Sequence, residues 1–304
     1  MNNVAAVVVT YNRLSLLKES VSALLNQSVP CDILVIDNAS TDGTGDYIHS
    51  IANDRIIYRN TGKNLGGAGG FSFGMNLVEK LGYQYAWIMD DDSVPQANAL
   101  ESLFQKAECV NNTFSFFASL VYWTDGTVFE MNFPLYKRND RMDICPDYIS
   151  KYKIMPIENA SFVGCFVNLS VSRKVGLPIS EFFIYGDDKE YTGRLRKELP
   201  AFLDFDSIIV HKAPSNKGAD IATAEENRIS RFYHQSRNGM YMARKQGFAA
   251  VIKRFKTVFI RTGKILIRSK NKKCLRLWML YKGTIAGFFF NPTIRYSNES
   301  EELL

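Results

Sequence analysis

Between Glu226 and Glu299 this 304-residue sequence has no acidic residue. Cysteine is sparse: Cys31, Cys109, Cys145, Cys165 and Cys274 are scattered, and no two are spaced as CxxC. That pattern argues against a disulfide framework and a structural zinc site, and it suits a reducing cytoplasm. The longest apolar run near the C-terminus, residues 285–290, is far too short to span a bilayer. At the other end Met1 runs directly into the apolar segment 4–9, without a basic leader or a cleavage site. The segment therefore reads as a first strand rather than a secretion signal. Histidine occurs only at His49, His211 and His234. No Ser-His-Asp arrangement stands out.

What is present is ordinary for a folded chain, 46% hydrophobic and 22% charged, and long enough for one large domain with an appendage. The net charge of +6 conceals a division. Residues 1–240 carry 23 Lys and Arg against 28 Asp and Glu, whereas residues 241–304 carry 14 against 3. An acidic region of 1–240 and a basic region of 241–304 imply different partners.

In the first region apolar runs alternate with helical periodicity. Strands are expected at 4–9, 33–36, 56–59 and 85–89, with helices at 14–25, 44–51 and 71–80 between them. Ser15 is placed to cap the first helix. Strands separated by helices of this length imply an α/β fold with a mostly parallel, Rossmann-like sheet and right-handed crossovers. Open sheets of this kind bind ligands at the carboxyl ends of their strands. Thr10, Tyr11 and Arg13 follow the first strand, Asp37 the second, and Lys63 and Asn64 the third. Tyr11 is suited to stacking on a ring, Arg13 to pairing with diphosphate and Asp37 to accepting a hydrogen bond from a base or ribose. The glycines of NLGGAGGF read as a loop where backbone approaches a ligand closely.

The fourth strand ends in Asp90, Asp91 and Asp92. Adjacent carboxylates repel by roughly 4 kcal/mol at 4 Å for an effective dielectric near 20, so something positive is expected beside them. Side chains alternate along extended backbone, so Asp90 and Asp92 face the same way and are placed to share one divalent cation. A second acidic pair, Asp187 and Asp188, opens a helix after the aromatic approach Phe182, Phe183, Tyr185.

VVVTYNR, VIDNASTDGT, NLGGAGGF and the triple aspartate together resemble the donor half of inverting glycosyltransferase family 2, with its GT-A fold. EFFIYGDDKEYTGRLRK (181–197) resembles that family's acceptor segment, and SFVGCFVNLSVSRKVGLP (161–178) the strand and turn before it. More narrowly, NLGGAGGF with the DD pair and FYHQSRN (232–238) is similar to bacterial galactofuranosyltransferases. Rhamnosyl-transferring relatives using dTDP-rhamnose share the scaffold.

The resemblance implies a donor half at about 1–100, an acceptor half at about 101–240, and a UDP-sugar donor, UDP-galactofuranose in the narrow reading. It implies Mn²⁺ or Mg²⁺ held by Asp90, Asp92 and His211, with Asp91 on the donor ribose or sugar. Asp188 is the implied base, Asp187 binds acceptor hydroxyls beside Tyr185, and Arg237 either contacts diphosphate, braces the metal loop or lies on the surface. Trp123, Phe162 and Phe166 are either acceptor walls or core. Residues 111–160 look like a variable acceptor-side insertion.

In the basic region Val251, Ile252, Phe255 and Phe259 recur at helical spacing among Lys253, Arg254, Lys256, Arg261 and Lys264. Such helices lie on anionic membrane surfaces, so a peripheral enzyme on the inner face of the cell membrane is expected, meeting a lipid-linked glycan acceptor there. A nucleotidyltransferase would carry an N-terminal glycine-rich phosphate loop, which VVVTYNR is not. A nucleic-acid-binding module would leave both acidic clusters without a role.

Overall fold

Every residue of the first strand is buried, and this is the clue to the layering. β1 (Val4–Thr10) alternates Val4, Ala6 and Val8 toward one face with Ala5, Val7 and Val9 toward the other. Both faces are therefore covered, as a parallel sheet with helices on either side requires. In this computed structural model, which describes residues 3–136, 146–216 and 218–297, the covering elements follow in order. They are α1 (Leu14–Leu25), β2 (Asp32–Asp37), α2 (Thr44–Ser50), β3 (Ile56–Asn60), α3 (Gly66–Lys80) and β4 (Tyr85–Asp90). β1 pairs in parallel with β2 and β4, and β2 with β3.

β5 (Ser93–Pro95), α4 (Ala99–Cys109) and β6 (Phe116–Trp123) open the second half, followed by α5 (Pro146–Ser150) and β7 (Ile154–Pro156). β8 (Cys165–Asn168), α6 (Leu169–Val175), α7 (Asp187–Glu198) and β9 (Ala201–His211) complete a sheet of nine described strands. Its order is β3-β2-β1-β4-β8-β6-β9-β5, with β7 also on β9. The parallel expectation holds for β3-β2-β1-β4 and for β6 with β9, while β8, β5 and β7 run antiparallel to their neighbours.

Two local expectations are corrected. Ser15 does not cap α1; Asp42 Oδ2, from the loop after β2, accepts from the Leu14 N–H instead. The glycine run is not a loop but the first two turns of α3. A Cβ at Gly70 would lie 2.5 Å from Val9 Cγ1, and one at Gly74 2.5 Å from Val7 Cγ1. Gly70 and Gly74 thus let the helix approach the sheet closely.

α8 (Arg231–Gln246), α9 (Phe248–Arg268) and α10 (Lys273–Phe289) follow the sheet. Position 240 falls inside α8, which packs on both later helices. Phe232, Val258, Ile265 and Leu280 form their shared core. Cys145 and parts of two segments read from the sequence, 137–145 and 298–304, lie outside the described residues.

Candidate active site

Sheet register brings the first cluster together. β4 ends at Asp90, and the chain turns through Asp91 and Asp92 into β5, whose Ser93 pairs with His211 at the end of β9. Ligand-capable atoms of Asp90, Asp92 and His211 all lie within 4.8 Å of one another. Asp91 and Asp92 are buried, and Arg13 spans them, its Nη1 3.0 Å from Asp91 Oδ1 and 2.7 Å from Asp92 Oδ2. Thr10 Oγ1 donates to Asp91 Oδ2 at 2.8 Å. Arg13 is thus the positive group the sequence demanded, spent on the aspartates rather than held free.

The electrostatics differ from one carboxyl to the next. Burial, then repulsion from Asp92 and Asp91, pushes Asp90 well above the usual carboxylate range. Burial raises Asp91 as well, against the pull of Arg13. At Asp92 burial acts the same way, but the His211 ring and Arg13 outweigh it and hold the carboxyl low.

The donor set fits a hard divalent cation, two carboxylates and an imidazole. His211 Nδ1 lies 2.9 Å from Asn132 Oδ1, and Asn132 Nδ2 donates to Ser161 Oγ at 2.7 Å, which orients the amide. An Nδ1–H donated to Asn132 Oδ1 would leave Nε2 free to face an ion. Nε2 lies 2.9 Å from Asp92 Oδ1, the contact through which the ring holds that carboxyl low. A bound cation would take the place of the proton between them. Two atoms bound at about 2.1 Å and at right angles to one ion are about 3 Å apart, which matches.

The second cluster reaches the same cavity. Asp187 and Asp188 open α7 behind Gly186, and they line a cavity of about 690 Å³ together with Asp90 and His211. Tyr185 and Phe162 form part of its wall, as do Met131 and Asn132 from the unmapped insertion. Burial, then Asp188, raises Asp187 to about 7; burial raises Asp188.

The turn that delivers this pair is strained, with Phe183 at φ 63° and Tyr185 at φ 69°. Asn238 Nδ2 holds it, donating to the carbonyls of Phe182, Ile184 and Tyr185 at 3.0, 3.1 and 2.9 Å. Arg237 donates to the carbonyls of Glu181 and Phe182 and stacks on Phe290, and it is not among the residues lining the cavity. The FYHQSRN motif thus braces the acceptor turn.

On the donor side, Asp37 is buried and accepts from Tyr58 Oη and the Ser40 N–H. Asn64 Oδ1 accepts from the Gly66 N–H, while Tyr11 and Lys63 are exposed. Phe166 is core, stacked on Tyr85, and Trp123 donates to the Ala213 carbonyl. Sequence reasoning missed Asn132, which no periodicity marks, and Arg254 and Arg261, which line the cavity from α9.

The profile described as Glycosyl transferase family 2 matches residues 5–150. The galactofuranosyltransferase GlfT1 of Mycobacterium tuberculosis is 30% identical over 226 residues, 71% of this chain and 72% of that protein. The chain belongs to glycosyltransferase family 2. Its structural neighbours share the GT-A fold. Staphylococcus aureus TarS 1–349 gives a TM-score of 0.55 at 14% identity, over 94% of this chain and 72% of that one. The mannosyltransferase PcManGT of Pyrobaculum calidifontis, in complex with GDP-Man and Mn²⁺, gives 0.55 at 13%, over 94% and 86%. The enzyme is a glycosyltransferase.

Proposed function

We propose that this glycosyltransferase moves galactofuranose from UDP-galactofuranose, with inversion and with a divalent metal, onto a hydroxyl of a lipid-linked glycan precursor. The observation that carries the reading is the convergence of Asp90 and His211 with Asp187 and Asp188 on one cavity. The galactofuranosyltransferase relatives support the donor sugar. A cation at Asp90, Asp92 and His211 would offset the charge that collects on the departing nucleoside diphosphate. Asp91, held by Thr10 and Arg13, orients the donor. Asp188 takes the proton from the attacking hydroxyl, and its neighbour Asp187 binds the acceptor. Tyr185 and Phe162 offer aromatic faces to a sugar ring.

Among the described residues no helix is long and apolar enough to cross a membrane. The C-terminal helices nevertheless expose Phe248, Phe259, Ile267 and Phe289, each 79–84% accessible, beside Lys253, Lys256 and Lys264. That combination matches an anionic bilayer surface, and it supports a peripheral enzyme on the cytoplasmic face of the membrane. The test is a panel of UDP- and dTDP-sugars with Mn²⁺. UDP-galactofuranose should give the largest turnover, and a preference for dTDP-rhamnose would reject the sugar while leaving the class.

A further inference from the structure

α9 turns two different faces to its surroundings. Arg254, Val258, Arg261 and Ile265 stand at i, i+4, i+7 and i+11 and so share one stripe. Val258 and Ile265 are buried in the core shared with α8 and α10. The two arginines on that stripe, read from the sequence as part of a basic face toward an anionic membrane, line the cavity that holds Asp187 and Asp188.

Their guanidiniums are held in place but not neutralised. Arg254 lies flat on Gly239, where a Cβ would meet its Cζ at 2.6 Å and its Nη1 at 2.8 Å. Its Nη2 donates to the carbonyls of Gln235 and Ser236, both at 3.2 Å, and its Nε is buried with no partner. Arg261 Nη1 donates to Gln235 Oε1 at 2.8 Å. Among the described residues no carboxylate stands within 4.0 Å of either, and the acid nearest in effect, Asp220, pairs with Arg268 at 3.6 Å. Burial, then Arg261, brings Arg254 down to about 10, and burial lowers Arg261 too. A half-buried guanidinium without an anion is costly, and two sharing one glutamine are more so.

We propose that Arg254 and Arg261 form a phosphoryl-binding subsite on the acceptor side of the cavity, for an acceptor carrying a phosphate ester or diphosphate near its reacting hydroxyl. The proposal rests on the glycosyltransferase reading and adds the chemistry of the second substrate. Forked guanidiniums match phosphate oxygens bidentately. The donor's own phosphates have a separate claimant in the cluster around Asp90, Asp92 and His211. The opposite face of α9 presents Phe255 and Phe259 to the outside, the surface an amphiphilic acceptor would approach.

The test uses the full chain with UDP and Mn²⁺ at saturation, so that the donor site is filled, and titrates n-octyl phosphate below its micelle concentration by calorimetry. R254Q/R261Q should weaken that binding at least tenfold and leave UDP affinity within twofold. G239A should weaken it severalfold by pushing the Arg254 guanidinium aside, which covers the case in which the double variant folds poorly. Unchanged octyl phosphate affinity in both variants would overturn the subsite. So would a parallel loss of UDP affinity in a folded G239A, which would give the arginines to the donor. Loss only of sedimentation with phosphatidylglycerol vesicles would give them to bilayer headgroups and also overturn it. Wild-type protein that binds no UDP would instead remove the UDP-sugar reading beneath.

Discussion

Replacing Asn238 by aspartate changes one group, the amide NH₂, to a carboxylate oxygen of nearly the same size. No cavity forms, and Oδ1 keeps its bond from Arg237 Nε at 3.0 Å. What is lost are two N–H hydrogens shared by the carbonyls of Phe182, Ile184 and Tyr185. Asn238 is fully buried, so those carbonyls gain no water in exchange. Two buried hydrogen bonds at about 1–1.5 kcal/mol each, plus a carboxylate facing three carbonyl dipoles, give a cost of about 3 kcal/mol or more.

The turn has another way out. Phe183 and Tyr185 sit at positive φ, each storing about 1–3 kcal/mol, and relaxing to ordinary backbone recovers part of the loss. The melting temperature should therefore fall by only roughly 2–4 °C. Transfer should fall at least a hundredfold, because Asp187 and Asp188 follow the relaxed turn directly. The assays are thermal unfolding and release of UDP from UDP-galactofuranose with acceptor present. Turnover within threefold of wild type would refute the claim that Asn238 positions the acidic pair.

Asp188→Asn should abolish transfer while UDP affinity, read by calorimetry, stays within threefold; retained turnover would take Asp188 out of the base role. Asp187 holds its proton to about pH 7 against an ordinary 3.8, so the folded chain binds a proton that the unfolded chain releases. Stability contributed there is lost as pH rises from about 4 to 7. Asp187→Asn should thus stabilise the protein against urea more at pH 8 than at pH 5, by up to about 2.5 kcal/mol, and an equal gain at both would contradict the assignment. Mn²⁺ should raise the melting temperature of the wild type, but not of Asp92→Asn or His211→Ala; a shift kept in both would place the ion elsewhere. Serine at Phe248, Phe259 and Ile267 together should release the protein from phosphatidylglycerol vesicles, and undiminished sedimentation would argue against the interfacial face.

The donor half of the fold was legible because burial there follows simple periods. Helix α1 occupies the span its apolar spacing marks, Leu14–Leu25, and the triple aspartate ends a strand as its apolar approach implies. The glycine run misleads because local preference and packing pull opposite ways. Glycine disfavours helix by about 1 kcal/mol, but a side chain at Gly70 or Gly74 would overlap Val9 or Val7, and overpacking costs about 1–3 kcal/mol. Asn132 could not be foreseen, since an irregular segment carries no period and its contact with His211 spans 79 residues.

The sense of α9 was the deeper difficulty. A hydrophobic stripe and a basic stripe on one helix tell that it has two faces, and nothing in that pattern tells which one meets the protein. Apolar stripes usually turn inward because burying each large side chain is worth about 1.5–3 kcal/mol. Here Ile252, Phe255 and Phe259 turn outward, while Arg254 and Arg261 turn in. The arrangement forgoes apolar burial and leaves two half-buried guanidiniums with hydrogen bonds but, among the described residues, no carboxylate beside them. Both costs would be offset together if the exposed stripe met an apolar phase and the half-buried guanidiniums met an anion. A bilayer and a phosphorylated acceptor reaching in from it would supply the two at one place, so the proposed substrate geometry would account for the orientation of the helix.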